Sequence, residues 1–463
     1  MSLILFVTLP LLASFLTPLF RDYLKYISLA LHASLLLLAF SFIGMLPITE
    51  TISFDSPLSI SFVLDSASLF FVILFISIMI LFLLYQIKES MSREIFILTN
   101  MLIASVSGLV LSGDIFNIYI FFEIASITAY ILTSLNRDKK AYSGAIRYMI
   151  MGSIASIFLL MGIMSIYLNI GSLSLVTIAD KFSTIDSSTQ ILILISLFIG
   201  FGIKAEVFPL NFWVVDIYQA SSNRVNALFS SILSKAYIFL FFHIAYMLHI
   251  DQKLMWFLAT MGVISFAVAE LSALSSRDTK RIFAYSTLGQ IGVLFIALSS
   301  GDQKALTGAF FLIVLHSITK LMLFLSLDIL NTQFGSSKID IFSRFRSTFL
   351  VILFAIGFLS LLGIPPLGGF IAKIAILEGL AYIQSYYLVG AILIISLVEA
   401  VYFFRLLGLT QKDTQRDPVV ISLYHKIILG SMALFIVYLG LFPESLLAIC
   451  QSVASSLLGA GHV

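Results

Sequence analysis

The sequence predicts an all-α polytopic membrane protein, and three observations carry that prediction. Of its 463 residues, 60% are hydrophobic, 14% aromatic and only 11% charged, whereas a water-soluble globule of this length needs far more polar surface. The apolar runs recur at lengths that cross a bilayer core of about 30 Å, roughly 20 residues each, and divide the chain into about 14 transmembrane helices. The basic residues alternate between loops. Arg21, Lys25, Lys88, Arg93, Arg137, Lys139, Lys140, Arg277, Lys280, Arg281, Lys338, Arg344, Arg346, Lys412 and Arg416 fall in odd-numbered loops, against Lys181, Lys253 and Lys304 in even ones. The positive-inside rule makes the odd loops cytoplasmic and puts both termini on the outer side, as an even helix count requires.

Residues 3–20 lack a basic leader and a small-residue cleavage site before Arg21, so this first helix is expected to be retained. Cores at 26–46 and 66–87 follow, the second opened by Asp65 in FVLDSAS, a residue type that caps helix N-termini. After 95–112 comes 114–135, where Glu123 in GDIFNIYIFFEIASITAYIL has no local countercharge. Residues 144–169 run uninterrupted, and 189–208 hold Lys204 and Glu206 just before Pro209. Residues 225–248 hold Lys235, too deep to snorkel to either interface. Glu270 lies in 254–274, and 281–299 follow a basic loop. His316, Lys320 and Asp328 lie in 305–331, and Lys373 follows Pro365–Pro366 in 348–376. Glu378 precedes the core at 379–409, which contains Glu399, and 425–449 completes the set. Almost nothing is left for an extramembrane region, so residues 1–463 are expected to form a single transmembrane domain.

The single cysteine, Cys450, excludes a disulfide framework and a thiolate-held metal or iron–sulfur cluster made by this chain alone. No P-loop or dinucleotide-binding glycine pattern occurs, and no histidine–carboxylate set has metal-ligand spacing. The energy source is therefore an ion gradient or a partner. The net charge of +2 adds little, and the 43 phenylalanines are most simply lipid-facing and packing mass.

Lys204, Lys235, Lys320 and Lys373 lie in otherwise apolar stretches, and an intramembrane cation is a functional hypothesis by default. Glu123 is a candidate countercharge: a unit pair at about 4 Å and an effective dielectric near 20 attracts by roughly 4 kcal/mol. Opening and closing such a pair is a switch for releasing a proton; a purely structural ion pair is the plainer alternative. Glu206 and Asp216 flank Lys204, but side chains two apart on a helix point away from each other, so an acid on another helix suits Lys204 better than Glu206. For Lys235 the plain alternative is a bond to serines or carbonyls. His316 and Lys320, at i and i+4 in LIVLHSITKLMLF, share a helical face along which a hydrated row can pass a proton. A histidine hydrogen-bonded in the interior is the alternative. Glu270, Asp328, Glu378 and Glu399 are explained equally well by lipid-boundary placement or subunit contacts.

Lys204 lies five residues before Pro209, and Lys373 seven after Pro366. Paired interruptions mark transporters with inverted repeats, whose broken helices meet near mid-membrane to form the ion path; two merely kinked helices are the alternative.

Seven motifs carry a resemblance when taken together: FFEIASITAYIL around Glu123, K-x-E-x-F-P-x-N-F-W from Lys204, D-x-Y-Q at 216–219, SSILSK ending at Lys235, KRIFAYSTLGQIG from Lys280, H-S-I-T-K ending at Lys320, and GIPPLGGFIAK ending at Lys373. Over nearly its whole length the chain resembles the antiporter-like membrane subunits shared by respiratory complex I, group 4 membrane-bound hydrogenases and Mrp-type sodium/proton antiporters. The resemblance implies a core of 14 helices with two inverted five-helix repeats containing broken helices, about 95–248 and about 254–409, and a hydrated polar axis. It makes Glu123 the acid paired with Lys204, Lys235 the central relay, His316 and Lys320 the link between halves, and Lys373 the terminal lysine. Glu206, Asp216, Glu270, Glu378 and Glu399 remain accessory candidates. The terminal lysine and the D-x-Y-Q run favour the branch with the N-type subunits of complex I and the D-type subunits of Mrp antiporters. Three positions depart from the pattern: Asn211 for a histidine, Val215 for a proline, and Ser221–Ser222 for Ala-Pro.

The implied role is a non-catalytic ion-translocating subunit of a redox-driven oxidoreductase complex, NADH dehydrogenase-like or hydrogenase-like, in a prokaryotic cytoplasmic membrane. Electron transfer elsewhere would open and close the Glu123–Lys204 pair, and protons would move through Lys235, His316 and Lys320 to Lys373. The expected partners are other membrane subunits, homologous antiporter-like ones included, and no nucleic acid. No cofactor is expected on this chain; iron–sulfur clusters, with nickel–iron or flavin as further options, are expected in partner subunits. Two alternatives stay open. One is a subunit of an Mrp-type cation/proton antiporter without redox chemistry, with sodium as the other ion. The other is a scaffold that has lost transport, suggested by Asn211 and Val215.

Overall fold

The computed structural model describes residues 2–16, 23–52, 60–89, 92–411 and 416–459. Arg21 and Lys412, two of the residues in the loop-charge bias, lie outside the described residues. The chain opens with α1 (Leu5–Leu16) and α2 (Leu24–Ser41), then an antiparallel hairpin of β1 (Ile48–Ile52) and β2 (Ile60–Leu64) with Ile48 opposite Leu64. There follow α3 (Ser66–Gln86), α4 (Arg93–Leu111), α5 (Ile115–Ser134), α6 (Lys139–Ile170), α7 (Leu175–Phe182) and α8 (Ser187–Lys204). Two short helices, α9 (Val214–Ala220) and α10 (Asn223–Leu228), lead through a π-helical turn at Phe229–Leu233 into α11 (Ser234–Met247). The remainder comprises α12 (Gln252–Ser275), α13 (Thr279–Leu298), α14 (Gln303–Phe334), the short α15 (Ile341–Arg344), α16 (Thr348–Leu362), α17 (Gly368–Tyr382), α18 (Tyr386–Leu409), α19 (Leu423–Leu441) and α20 (Glu444–Gly459). Residues 345–346 and 417–418 form a minimal parallel pair, β3 and β4.

Two compact units divide the chain. One comprises Met1–Ala205, Ile232–Asp251 and Ser455–Val463, the other Glu206–Ser231 and Gln252–Ala454. Twelve described helical segments are long and apolar enough to cross a membrane, and three shorter apolar helices, α1, α16 and α20, accompany them. The protein is an integral membrane protein.

Aspartates punctuate this apolar chain. Asp65 accepts from the Ser68 backbone N–H at 2.7 Å while Ser68 Oγ accepts from the Asp65 N–H at 2.8 Å, a reciprocal cap on α3. The cap expected at Asp65 is thus present. Asp114, Asp138, Asp278 and Asp302 cap α5, α6, α13 and α14 with their carboxylates. Each supplies an acceptor to an N–H that the first helical turn leaves open.

Two helices stop where the lysine–proline pattern lies. α8 ends on Lys204, and Glu206 takes the left-handed backbone (φ 62°). α16 ends at Gly363 (φ 80°), a conformation that costs a glycine little, and α17 restarts at Gly368. The apolar core read as 348–376 is therefore two helices, the second reaching Tyr382; that read as 425–449 is likewise α19 and α20. Within the second unit, α14 packs against α10, α13, α16, α17 and α19, and its apolar window is 100% buried. In the first unit, α6 lies against α5 and α8, and only 33% of its apolar window is buried, so its other face is left uncovered by this chain.

Candidate ion-translocation sites

In the first unit the site centres on Lys204, which is 2% exposed at the last position of α8. Its ammonium lies 4.5 Å from the ring centre of Tyr148, 4.9 Å from Tyr130 and 5.7 Å from Phe122, and donates to the Tyr130 hydroxyl at 3.3 Å. Three aromatic faces around a desolvated cation each supply electrostatic attraction worth roughly 0.5–2 kcal/mol. The space is made by Gly152 on α6: a Cβ there would collide with the Tyr130 hydroxyl and come within 3.0 Å of Lys204 Nζ. One turn further along α6, Ser156 donates to the carboxylate of Glu123 and also to the Gly152 carbonyl at 3.0 Å. Gly152 and Ser156 stand at i and i+4 on one face, about 6 Å apart along the axis. The α6 surface thus brings Lys204 and Glu123 to neighbouring positions, Lys204 in an aromatic cage and Glu123 on a serine.

Lys235 is fully buried on α11 and donates to Ser234 Oγ at 3.1 Å. It lies two residues beyond the π-helical turn, a distortion that frequently accompanies functional sites. Phe122 links this region to the Lys204 cage, its ring meeting Tyr237 edge-on at 5.4 Å.

The second unit holds the other charged groups. On α14, His316 and Lys320 are both fully buried, and Lys320 donates to Ser286 Oγ at 2.8 Å and to the Phe283 carbonyl at 3.0 Å. On α17, Lys373 forms an ion pair with Glu399 of α18 at 3.2 Å and donates to the Leu362 carbonyl at 3.1 Å, in the break between α16 and α17. Gln290 of α13 donates to the other oxygen of Glu399 at 2.8 Å. Glu399 and Glu270 are both 0% exposed. Glu399 is thus a buried ion-pair partner rather than a boundary residue.

The remaining candidates disperse. Asp216 meets Arg281 at 3.7 Å, half-exposed. Glu378 pairs with Lys304 at 2.6 Å with both side chains more than half exposed, away from the buried groups. Glu206 is buried near Tyr218. Asn211 donates to Ser265 Oγ at 3.4 Å and cannot titrate. Asp328 accepts from Arg224 at 2.7 Å, and Arg224 was not singled out by sequence. Nor were Tyr130, Tyr148, Ser286 and Gln290, although Ser286 and Gln290 stand i and i+4 inside KRIFAYSTLGQIG and their spacing could have pointed to them. Among the described residues, no group of three or more His, Cys, Asp or Glu could hold a metal ion.

Broken apolar helices carrying buried lysines and acids define an antiporter-like membrane subunit. Residues 112–398 match the family described as NADH:quinone oxidoreductase/Mrp antiporter, TM, and the chain belongs to that family. It is 30% identical over 315 residues to NADH-quinone oxidoreductase subunit N of Desulforudis audaxviator (strain MP104C), covering 66% of this chain and 62% of that protein, a little under two-thirds of the relative's length. It is 28% identical to the D-type subunit of the Na(+)/H(+) antiporter of Alkalihalophilus pseudofirmus, over 74% of this chain and 72% of that one. Among solved structures, a chain of the membrane-bound sulfane sulfur reductase, an archaeal respiratory membrane complex, superposes with a TM-score of 0.93 at 26% identity, covering 100% and 99% of the two chains. A chain of the Mrp complex from Dietzia sp. DQ12-45-1b shares the fold, with a TM-score of 0.89 at 19% identity over 98% and 97%.

Proposed function

We propose that this chain translocates protons within a redox-driven membrane complex, using Glu123 and Lys204 as the switch and Lys235, His316, Lys320 and Lys373 as the relay. The observation that carries the reading is that each unit buries lysines whose ammonium groups are met by side chains from other helices: Tyr130 and Tyr148 at Lys204, Ser286 at Lys320, Glu399 at Lys373. Moving one charge against 100 mV costs about 2.3 kcal/mol, within the roughly 4 kcal/mol available from a close pair. The likeness to a chain of a respiratory membrane complex supports redox drive. Under that reading the partner subunits carry iron–sulfur clusters, with nickel–iron or flavin where the complex uses them. The two interrupted helices, α8 and α16–α17, support two inverted repeats within the chain, and the loop-charge bias supports cytoplasmic odd loops with both termini outside.

A second reading is favoured by the relative from the Na(+)/H(+) antiporter: cation/proton exchange in an Mrp-type assembly without redox chemistry. Mild-detergent purification of the native complex, with mass spectrometry of co-purifying chains and an iron and nickel assay, separates the two. Metal-bearing partners support redox drive; small hydrophobic partners without metal, together with sodium-dependent proton movement, support exchange. Under either reading Lys204→Ala abolishes proton flux, and undiminished flux would refute both.

A further inference from the structure

Glu270 is fully buried on α12, and neither carboxylate oxygen has a hydrogen-bond partner among the described residues. A buried carboxyl group with open oxygens can take up or hand on a proton when a donor or acceptor comes within reach. The donor is set by the helix that faces it. Ser286, Gly289 and Gln290 stand at i, i+3 and i+4 on α13, on one face and within about 6 Å along the axis. Ser286 holds the Lys320 ammonium, Gln290 holds Glu399, and between them Gly289 has no side chain because Glu270 Oε1 occupies that place. Tyr402 of α18 is buried beside Glu270 and Ser286. Glu399 in turn pairs with Lys373 at 3.2 Å.

We infer that Glu270 is the proton carrier between Lys320 and the Lys373–Glu399 pair, an inference that rests on the proposed proton-translocating function. In the transfer, an N–H bond of the Lys320 ammonium breaks and an O–H bond forms on Glu270, leaving a neutral amine and a neutral acid. The four groups carry zero net charge before and after, so the proton advances without burying an uncompensated charge. The proton then moves from Glu270 to Glu399, and Lys373 exchanges its partner from Glu399 to the newly ionised Glu270. Gly289 permits this because a larger residue would push the carboxyl group off the α13 face.

The test is proton flux in native membrane vesicles, with drive and assembly measured separately, in Glu270→Gln, Glu270→Asp and, as the control for the underlying reading, Lys204→Ala. Glu270→Gln keeps the shape but cannot exchange a proton, and flux is expected to fall by roughly a hundred-fold; Glu270→Asp retains the acid and recovers most of it. If Lys204→Ala abolishes flux while Glu270→Gln leaves it intact, the inference about Glu270 is wrong and the proposed function stands. If neither substitution matters, both fail. Equal losses in Glu270→Gln and Glu270→Asp assign Glu270 a packing role and overturn the inference. Should Glu270→Gln not assemble, Glu270→Asp decides: the protonated-carboxyl band in its turnover-difference infrared spectrum is expected to shift from the wild-type position, and an unchanged spectrum would overturn the proposal.

Discussion

Gly152→Ala adds one methyl group at the tightest point of the Lys204 cage. The new Cβ would overlap the Tyr130 hydroxyl and lie 3.0 Å from Lys204 Nζ, so both groups must retreat. Tyr130 packs edge-on against Tyr148 at 4.9 Å, which restricts the direction in which its ring can move. Overpacking of this kind costs about 1–3 kcal/mol. Part of the loss comes from weakening the Lys204–Tyr130 hydrogen bond, which as a bond to a charged group contributes roughly 1.5–3 kcal/mol. If about 2 kcal/mol of this appears in the rate-limiting step, proton flux falls roughly thirty-fold. Flux in vesicles measures it, with co-purification of partner subunits showing that the complex has assembled. Tyr130→Phe removes the nearest atom the methyl group strikes but leaves the ring carbon Cζ at 2.7 Å and Lys204 Nζ at 3.0 Å, so Gly152→Ala should cost less flux in a Tyr130→Phe background than in the wild type, a non-additive pair. An assembled Gly152→Ala complex with wild-type flux would refute the claim that this cage holds a working lysine.

Glu399→Gln leaves Lys373 buried without its anionic partner and should destabilise the protein by about 3–5 kcal/mol, read as a lower midpoint of thermal unfolding of the purified complex. An unchanged midpoint would mean that Lys373 does not depend on that pair. Glu378→Gln should change neither stability nor flux measurably, because its bridge to Lys304 is exposed and such pairs contribute about 0–1 kcal/mol; proton flux and thermal unfolding on the same preparation check both halves.

Much of the fold was legible because it follows local rules. The membrane class follows from apolar run length, the Asp65 cap from residue type and position, and the helix stops near Lys204 and Pro365–Pro366 from proline and glycine chemistry. The buried lysines were legible for the same reason, since a charge inside an apolar run is visible without knowing its neighbours. Their partners were not. Glu399 is 26 residues from Lys373, and Asp328 is 104 from Arg224. No helical periodicity links positions so far apart, so Glu399 looked no different from the exposed Glu378. The aromatic cage was hidden for another reason: with 43 phenylalanines and 18 tyrosines in the chain, nothing distinguishes Tyr130 and Tyr148 until α8 is packed against α6. The hairpin of β1 and β2 is signalled by the apolar–polar alternation LSISF at 58–62 that runs into β2, a strand signature easily overlooked between long helical apolar runs.

α6 and α14 are equal in length, each 32 residues, yet this chain leaves most of the apolar window of one uncovered and buries all of the other's. Where the outward stripe of α6 faces lipid, which accepts any apolar side chain of reasonable size, it is free to drift over generations. α14 has protein on every side, and a change at almost any of its positions needs a matching change on one of the helices around it. Variation among relatives should therefore be dense along one edge of α6 and sparse around the whole circumference of α14, where surviving substitutions come in compensating pairs.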